Sequence, residues 1–250
     1  MMTLVLALTF LALAVLYSAV GHAGASGYLA ALAILSDYPQ EQFKAIALTL
    51  NIFVGGIGTW KFLRAGHFKW DCFWPFALCA IPMAFVGGLW QLPEIIFRPL
   101  IGLVLLFAAV MLVLKARGLF RQKSDPRMPA LPVSMVCGGL LGLLAGLTGT
   151  GGGIFLSPLL ILAGWAEPRT TAAVSIVFVL LNSLAGLGGV IVESPGLPGQ
   201  LYIFIIAACL GGLVGSHLGS RRLPGNGIRY LLAIVLVVAS MKMFMAPFDA

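Results

Sequence analysis

Charged residues are so sparse along this chain that the gaps between them outline its elements. Residues 45–60, 72–93, 99–114, 170–192, 194–220 and 230–241 contain no Asp, Glu, Lys or Arg. Each fits within one helix of roughly 20 residues, the length that crosses the hydrocarbon of a bilayer, with end residues free to snorkel. The pattern predicts spanning helices near 42–63, 72–91, 96–115, 170–191, 200–219 and 228–246. Two uncharged runs do not fit. Residues 1–36 carry no Asp, Glu, Lys or Arg and only His22 as a side chain that can be charged near neutral pH, and 128–166 carry no charge. As a straight helix either would measure roughly 55 Å, nearly twice the hydrocarbon thickness. Each must fold back inside the membrane.

The fold-back points are glycine-rich: 21–27 (Gly21-His22-Ala23-Gly24-Ala25-Ser26-Gly27) and 146–153 (Gly146-Leu147-Thr148-Gly149-Thr150-Gly151-Gly152-Gly153). Glycine loses the most backbone entropy on joining a helix, so such clusters break one. A short apolar arm follows each, 28–36 and 154–164. The series of long arm, break, short arm and three spanning helices therefore occurs twice. It divides the chain into a first membrane repeat (1–115), a basic linker (116–130) and a second repeat (131–250). The breaks align at a shift of about 125 residues, Gly21 with Gly146 and Gly24 with Gly149.

With Lys115, the linker holds five basic residues and one acidic, which the positive-inside rule places in the cytoplasm. Lys61, Arg64 and Lys69, and then Arg221, Arg222 and Arg229, put the 64–71 and 220–229 turns on the same side. The turns near Glu94 and Glu193 fall outside. Corresponding helices then run in opposite directions, and both termini are expected outside. Lys44 and Lys242 lie near outer ends and read as snorkelling residues. The expected fold is all-α and polytopic: two inverted-topology repeats, each a glycine-broken hairpin plus three spanning helices. Inverted repeats with broken helices are the sequence pointer to alternating-access transport.

Composition agrees with a bilayer solvent: 60% of residues are hydrophobic and 9% charged, against about 25% charged in soluble domains. The formal charge of +7 resides in short turns rather than on a basic face with interleaved aromatics, so nucleic acid is excluded as a partner. Cys72, Cys79, Cys137 and Cys209 show no metal-ligand spacing and read as packed thiols. Gly138, Gly142 and Gly146, like Gly211, Gly215 and Gly219, repeat at four-residue spacing and read as helix-packing stripes. Trp60, Trp70, Trp74, Trp90 and Trp165 fall at span ends, where they would anchor the interface.

Specific residues then narrow the family. Gly149-Thr150-Gly151-Gly152-Gly153, Pro158, Val174-Ser175 and Asn182-Ser183-Leu184-Ala185-Gly186 resemble the sulfite exporter TauE/SafE family, also called the DUF81 membrane transporters. The stretch from Gly21 to Ala30, the run Ala47-Leu48-Thr49-Leu50-Asn51 and the later Gly66-His67-Phe68 match its first half. The resemblance spans nearly the whole chain. It implies a multi-pass protein of the bacterial inner membrane that moves sulfite, organosulfonates or related sulfur anions.

The residues themselves support anion chemistry. A half-helix that starts at a glycine break points unpaired N–H groups and its positive dipole end into the membrane interior. Ser26, Thr148 and Thr150 add hydroxyls, and Gly24, Gly27, Gly149, Gly151 and Gly152 let a ligand approach the backbone. The predicted spans hold no buried Asp or Glu, which favours an anion over a metal cation as substrate. His22 is the one titrating group expected at depth, either a packing residue or a participant in binding or proton coupling. His67 and His217 fall near cytoplasmic ends. Asn51, Ser175 and Asn182 sit within spans and either bond a neighbouring helix or line the pathway. These twelve positions, His22, Gly24, Ser26, Gly27, Asn51, Thr148, Gly149, Thr150, Gly151, Gly152, Ser175 and Asn182, are the candidate substrate-binding set.

No nucleotide-binding loop and no nucleophile-and-base motif is present, so no catalytic residue, cofactor or metal site is expected. The expected partners are a small anion, the lipid bilayer and a coupling ion, proton or sodium; assembly into a homo-oligomer stays open. The rival readings are a passive anion channel and a membrane scaffold. Polar segments of about 15 residues at most give a scaffold little docking surface.

Overall fold

The computed structural model of the protein describes residues 2–19, 21–119, 126–192, 196–221 and 226–245. The described residues form ten α-helices and no strand. In order these are α1 (Met2–Ala19), α2 (Ala25–Leu35), α3 (Gln40–Arg64), α4 (Trp70–Leu89), α5 (Glu94–Ala116), α6 (Leu131–Thr148), α7 (Gly153–Leu162), α8 (Pro168–Val192), α9 (Leu201–Arg221) and α10 (Asn226–Met245). Seven of them, α1, α3, α4, α5, α6, α8 and α9, are long and apolar enough to cross a membrane. Much of the linker, Glu193 in its turn, the side chain of Lys242 and the last residues of the chain lie outside the described set.

The apolar residues divide between a core and an apolar exterior. Tyr28, Leu29, Ala30 and Leu32 of α2 are fully buried, and Phe10, Ile46 and Phe204 pack in the same cluster. Leu4, Leu8, Leu78, Leu140, Ile206 and Leu210 face outward. An outer surface of leucine and isoleucine fits a lipid solvent, where apolar contact with the tails costs nothing. Helix α4 tolerates Pro75 and Pro82 within its length, as spans do when neighbours re-satisfy the freed backbone groups.

Both overlong runs fold back, as the length argument requires. The first breaks between Ala19 and Ala25, with Gly21 at φ 83° and Gly24 at φ 110°. The second breaks between Thr148 and Gly153, with Gly149 at 73°, Gly151 at 73° and Gly152 at 81°. This left-handed backbone is open to glycine and strained for side chains with a Cβ. The breaks are narrower than the glycine-rich stretches. Ser26 and Gly27 are already helical in α2, and Gly146 and Thr148 still belong to α6. The alignment of the halves is corrected accordingly. The left-handed glycines pair Gly21 with Gly149 and Gly24 with Gly152, a shift of 128 residues. Gly146 belongs instead to a packing stripe.

That stripe is where close approach is built. Gly138, Gly142 and Gly146 of α6 lie against the carbonyls of Phe76, Ala80 and Ala84 of α4, where a methyl group would collide. Gly211 and Gly215 of α9 lie in the same way against Leu11 and Val15 of α1. The ascending numbers on both members show that each pair runs parallel. The principal packings, α1 on α9, α4 on α6, α5 on α10 and α3 on α8, are unchanged when the five helices of one half are exchanged for those of the other. Helices α3 and α8, which correspond, meet in antiparallel order: Leu48 lies by Gly186, Asn51 by Ser183, Gly55 by Leu180 and Gly58 by Ile176.

Candidate functional site

The short helices α2 and α7 begin at the two breaks without side-chain caps. Gly24 and Gly152 hold the N-cap positions, and neither can offer an acceptor to the first turn. The first amides of a helix lack intrahelical partners, and the helix dipole places positive potential there. In α2 the first intrahelical bond recorded is Tyr28 N–H to Gly24 C=O. The amides of Ala25, Ser26 and Gly27 precede it.

Both breaks border one cavity. It is lined by Tyr17 and His22 to Ser26 from the first hairpin, Asn51 from α3, Thr150 and Ile154 from the second hairpin, and Val179 from α8. Three pairs in this lining are related by the 128-residue shift: His22 with Thr150, Ser26 with Ile154, and Asn51 with Val179. The cavity therefore sits where the two halves meet around equivalent positions. Its volume is about 10 Å³, close to the minimum for one water molecule. A separate cleft of about 240 Å³ lies between the α3–α4 turn, residues 126–128 and the α7–α8 loop, and shares no lining residue with it.

Hydrogen bonds tie the two halves together across the cavity. Asn51 Nδ2 donates to the Thr150 carbonyl at 3.4 Å and to Ser183 Oγ at 3.2 Å. Thr148 Oγ1 donates to Leu144 O at 2.6 Å and stands 2.9 Å from Thr150 Oγ1. Ser26 Oγ donates to Tyr17 OH at 3.1 Å, and Tyr28 OH donates to the Ala23 carbonyl at 2.9 Å. Ser157 Oγ donates to Ser175 Oγ at 2.8 Å and lies 3.3 Å from His22 Nε2. Because the one Ser157 proton is directed at Ser175, the contact with His22 is made by Nε2–H donating to Ser157.

The candidate residues thus separate into groups. His22, Gly24, Ser26, Asn51 and Thr150 border the cavity. Thr148 stands one bond behind it, through Thr150, and Ser175 two, through Ser157 and His22. Gly151 is pressed against its wall: a Cβ there would lie 2.7 Å from Asn51 Nδ2 and from Ser183 Oγ. Three glycines and one asparagine serve other surfaces. Gly27 packs on the Tyr17 ring and Leu13, Gly149 on Lys44, and Gly152 on Phe178 and Ala145. Asn182 donates to Phe178 O at 2.9 Å within its own helix.

Sequence reasoning passed over Tyr17, Ser157 and Ser183. Tyr17 and Ser157 look like ordinary members of apolar helices, and only the fold-back brings them to the cavity. Ser183 was visible beside Asn182, and the helical phase selects it over its neighbour. Lys44 corrects an expectation. It is buried, with 4% of its surface exposed, rather than lying in the lipid interface. Its ammonium donates to the Trp90 carbonyl at 2.8 Å, at the C-terminal end of α4, where the dipole favours a cation. That bond makes burial of the charge tolerable, while the Lys44 backbone and the start of its side chain pack on Gly149 of the second break. Of the tryptophans, Trp60, Trp70 and Trp90 are exposed at helix ends, whereas Trp165 packs on Phe76 with ring centroids 5.9 Å apart.

Comparison with known proteins adds a family. The model of the sulfite exporter TauE/SafE family matches residues 5–243. A Sinorhizobium fredii protein named "Probable membrane transporter protein y4hK" is 38% identical over 242 residues, covering 95% of this chain and 96% of its own. No solved structure matches.

Proposed function

The chain belongs to the sulfite exporter TauE/SafE family, and from that premise we propose that it is a secondary transporter, an exporter, of a small sulfur oxyanion or organosulfonate. The observation that carries this reading is the meeting of two uncapped helix starts, from opposite halves, at one cavity bordered by equivalent residues. The donors of its polar wall are the first-turn amides of α2, the Tyr17 hydroxyl, which accepts from Ser26 and keeps its own proton, and the His22 ring when protonated. Such a wall stabilises an anion without a lysine or arginine in contact.

At about 10 Å³ the cavity is too small for any oxyanion, so the described conformation is closed around the site. The antiparallel contact of α3 with α8 supports an inverted repeat, in which rocking of one half against the other exposes the site to each side in turn. The distribution of Lys and Arg supports a cytoplasmic linker with both termini outside, in the inner membrane of a bacterium. Protection of a C-terminal tag from an external label in intact cells would sink this orientation. Proton coupling through His22 or coupling to sodium drives the cycle, and no covalent chemistry on the substrate is involved.

The experiment is uptake of a panel of sulfur oxyanions into proteoliposomes holding the purified protein. A carrier gives flux that saturates and is accelerated by substrate on the far side. Ohmic currents far above carrier turnover would instead establish a channel.

A further inference from the structure

Asn51 has an atom that the bonds described so far leave unanswered. The residue is fully buried and borders the cavity. Its Nδ2 is committed to the Thr150 carbonyl and Ser183 Oγ, whereas Oδ1 is buried with no partner. The amide cannot be turned around, because the Thr150 carbonyl can only accept. Buried polar atoms are normally paired, so an acceptor left open on a residue that borders the cavity points to a donor on the ligand.

We infer that the site takes its anion in a form that carries its own O–H group, and that Asn51 Oδ1 is the acceptor that selects it. This rests on the anion-site reading above. A fully deprotonated oxyanion brings only acceptors. It would satisfy the α2 amides, the Tyr17 hydroxyl and protonated His22 but set oxygen against Oδ1. A hydrogen-oxyanion, or a sulfonate with a hydroxyl on its first carbon, satisfies both walls at once. Sodium is the other species that an amide oxygen could hold. The cavity lining offers it no carboxylate, and the Thr150 and Ala23 carbonyls each already accept one hydrogen bond. The titrating groups around the ligand are His22 and Tyr17 at the cavity, with Lys44 behind Gly149. Asn182 Oδ1 is also buried without a partner, but Asn182 does not border the cavity and nothing is built on it.

The test compares two anions of one shape and charge that differ by a single proton: methylphosphonate monoanion, which has an O–H, and methanesulfonate, which has none. Binding to the purified full-length protein is read as the ligand-dependent rise in Tm. Both are measured at one pH, acidic enough to keep methylphosphonate singly charged, in choline buffer. Wild type is expected to bind methylphosphonate at least ~10-fold more tightly, the direction seen whenever a site is built around a substrate hydroxyl. In Asn51→Leu the ratio is expected to fall to about 1, whatever loss both anions share from the broken bonds to Thr150 and Ser183. If that variant cannot be purified, the wild-type ratio decides. A wild-type ratio near 1, or one favouring methanesulfonate, overturns the inference and leaves the anion site standing. Failure of both anions, and of sulfite, to raise Tm overturns the anion-site reading and this inference with it. Tightening by sodium that Asn51→Leu abolishes would make Oδ1 a sodium ligand and would likewise overturn it.

Discussion

At the first break the chain reads Gly21-His22-Ala23-Gly24, and at the second Gly149-Thr150-Gly151-Gly152. The left-handed glycines coincide at both ends of the two segments, and each is followed by a short helix without a side-chain cap. The side chains around them have diverged. Gly21 rests on the Ala172 methyl of α8, and its counterpart Gly149 rests on Lys44 of α3. Within the cavity the first half supplies His22, Ser26 and Asn51, and the equivalent positions of the second half are Thr150, Ile154 and Val179. One wall is thus polar and the other largely apolar. The two breaks share a backbone, which leaves amide donors where each short helix starts, and differ in the side chains that border the cavity.

Gly151 and Ala23 occupy equivalent positions, and the largest expected effect comes from exchanging their roles. Ala23 already carries a Cβ in a buried site. A Cβ on Gly151 would be strained at φ 73° and would press on Asn51 and Ser183. The strain costs ~1–2 kcal/mol, and each displaced hydrogen bond adds about 1. Gly151→Ala should reduce transport at least ~30-fold per inserted protein, whereas Ala23→Gly should leave the rate within about threefold. Equal losses for both, tracking expression, would mean that the two breaks differ only in packing.

The next comparison sets Lys44 against Ala172. Lys44→Met removes the donor to the Trp90 carbonyl. A hydrogen bond from a charged donor contributes roughly 1.5–3 kcal/mol, and its loss gives a drop of a few degrees in the unfolding temperature. Ala172→Ser, at the equivalent place, should move it by less than a degree or two, as substitutions free of such partners do. Unchanged unfolding of Lys44→Met in detergent would show that the bond to Trp90 contributes nothing.

How much of this could be read from the sequence follows from which interactions are local. The two fold-backs were forced by the length of 1–36 and 128–166, an argument that needs only the rise of a helix. Five of the six further spans, α3, α4, α5, α8 and α9, followed from the charge gaps; the sixth is the helix α10, which, among the described residues, is not one of those long and apolar enough to cross. The all-α fold was legible for the same reason, since one period of hydropathy dominates a membrane chain. Exact breaks were not legible: Gly27, Gly146 and Gly153 look no different from Gly24 or Gly149 until φ is known. Nor could composition tell that Gly152 faces Phe178 while Gly151 faces Asn51, because that depends on helix rotation set by tertiary contacts. Lys44 escaped for a related reason. Its partner is a backbone carbonyl 46 residues away, and carbonyls leave no mark in sequence.

His22 has no titrating counterpart at Thr150, so pH should act on the polar wall alone. Protonated imidazole is favoured below its ordinary range near 6.5 and would draw an anion toward the first break. Transport should therefore rise as pH falls from about 7.5 to 5.5, by up to roughly tenfold, and His22→Gln should flatten that rise. Thr150→Val should lower the rate without altering the shape of the profile. An unchanged profile in His22→Gln would return the histidine to a packing role.

The smallest effect expected is at Ser157, which touches the site only through His22 and acts as a positioning residue. Its Oγ accepts from His22 Nε2 at 3.3 Å and donates to Ser175 at 2.8 Å, and the corresponding position of the first half, Leu29, is apolar and fully buried. A hydrogen bond of this kind contributes about 0.5–1.5 kcal/mol from the neutral ring and about 1.5–3 kcal/mol from the charged one, an excess of roughly 1 kcal/mol. It therefore favours the protonated ring over the neutral one. Ser157→Ala should move the midpoint of the transport–pH profile to lower pH by roughly 0.4–1 unit, since 1.36 kcal/mol corresponds to one unit. The maximal rate should change by less than about threefold, because the first-turn amides and Asn51 are untouched. Ser157→Thr, which keeps the hydroxyl, should restore the midpoint. A purely structural serine would give a different pattern, with lower yield and lower rate at every pH and a midpoint that stays where it was.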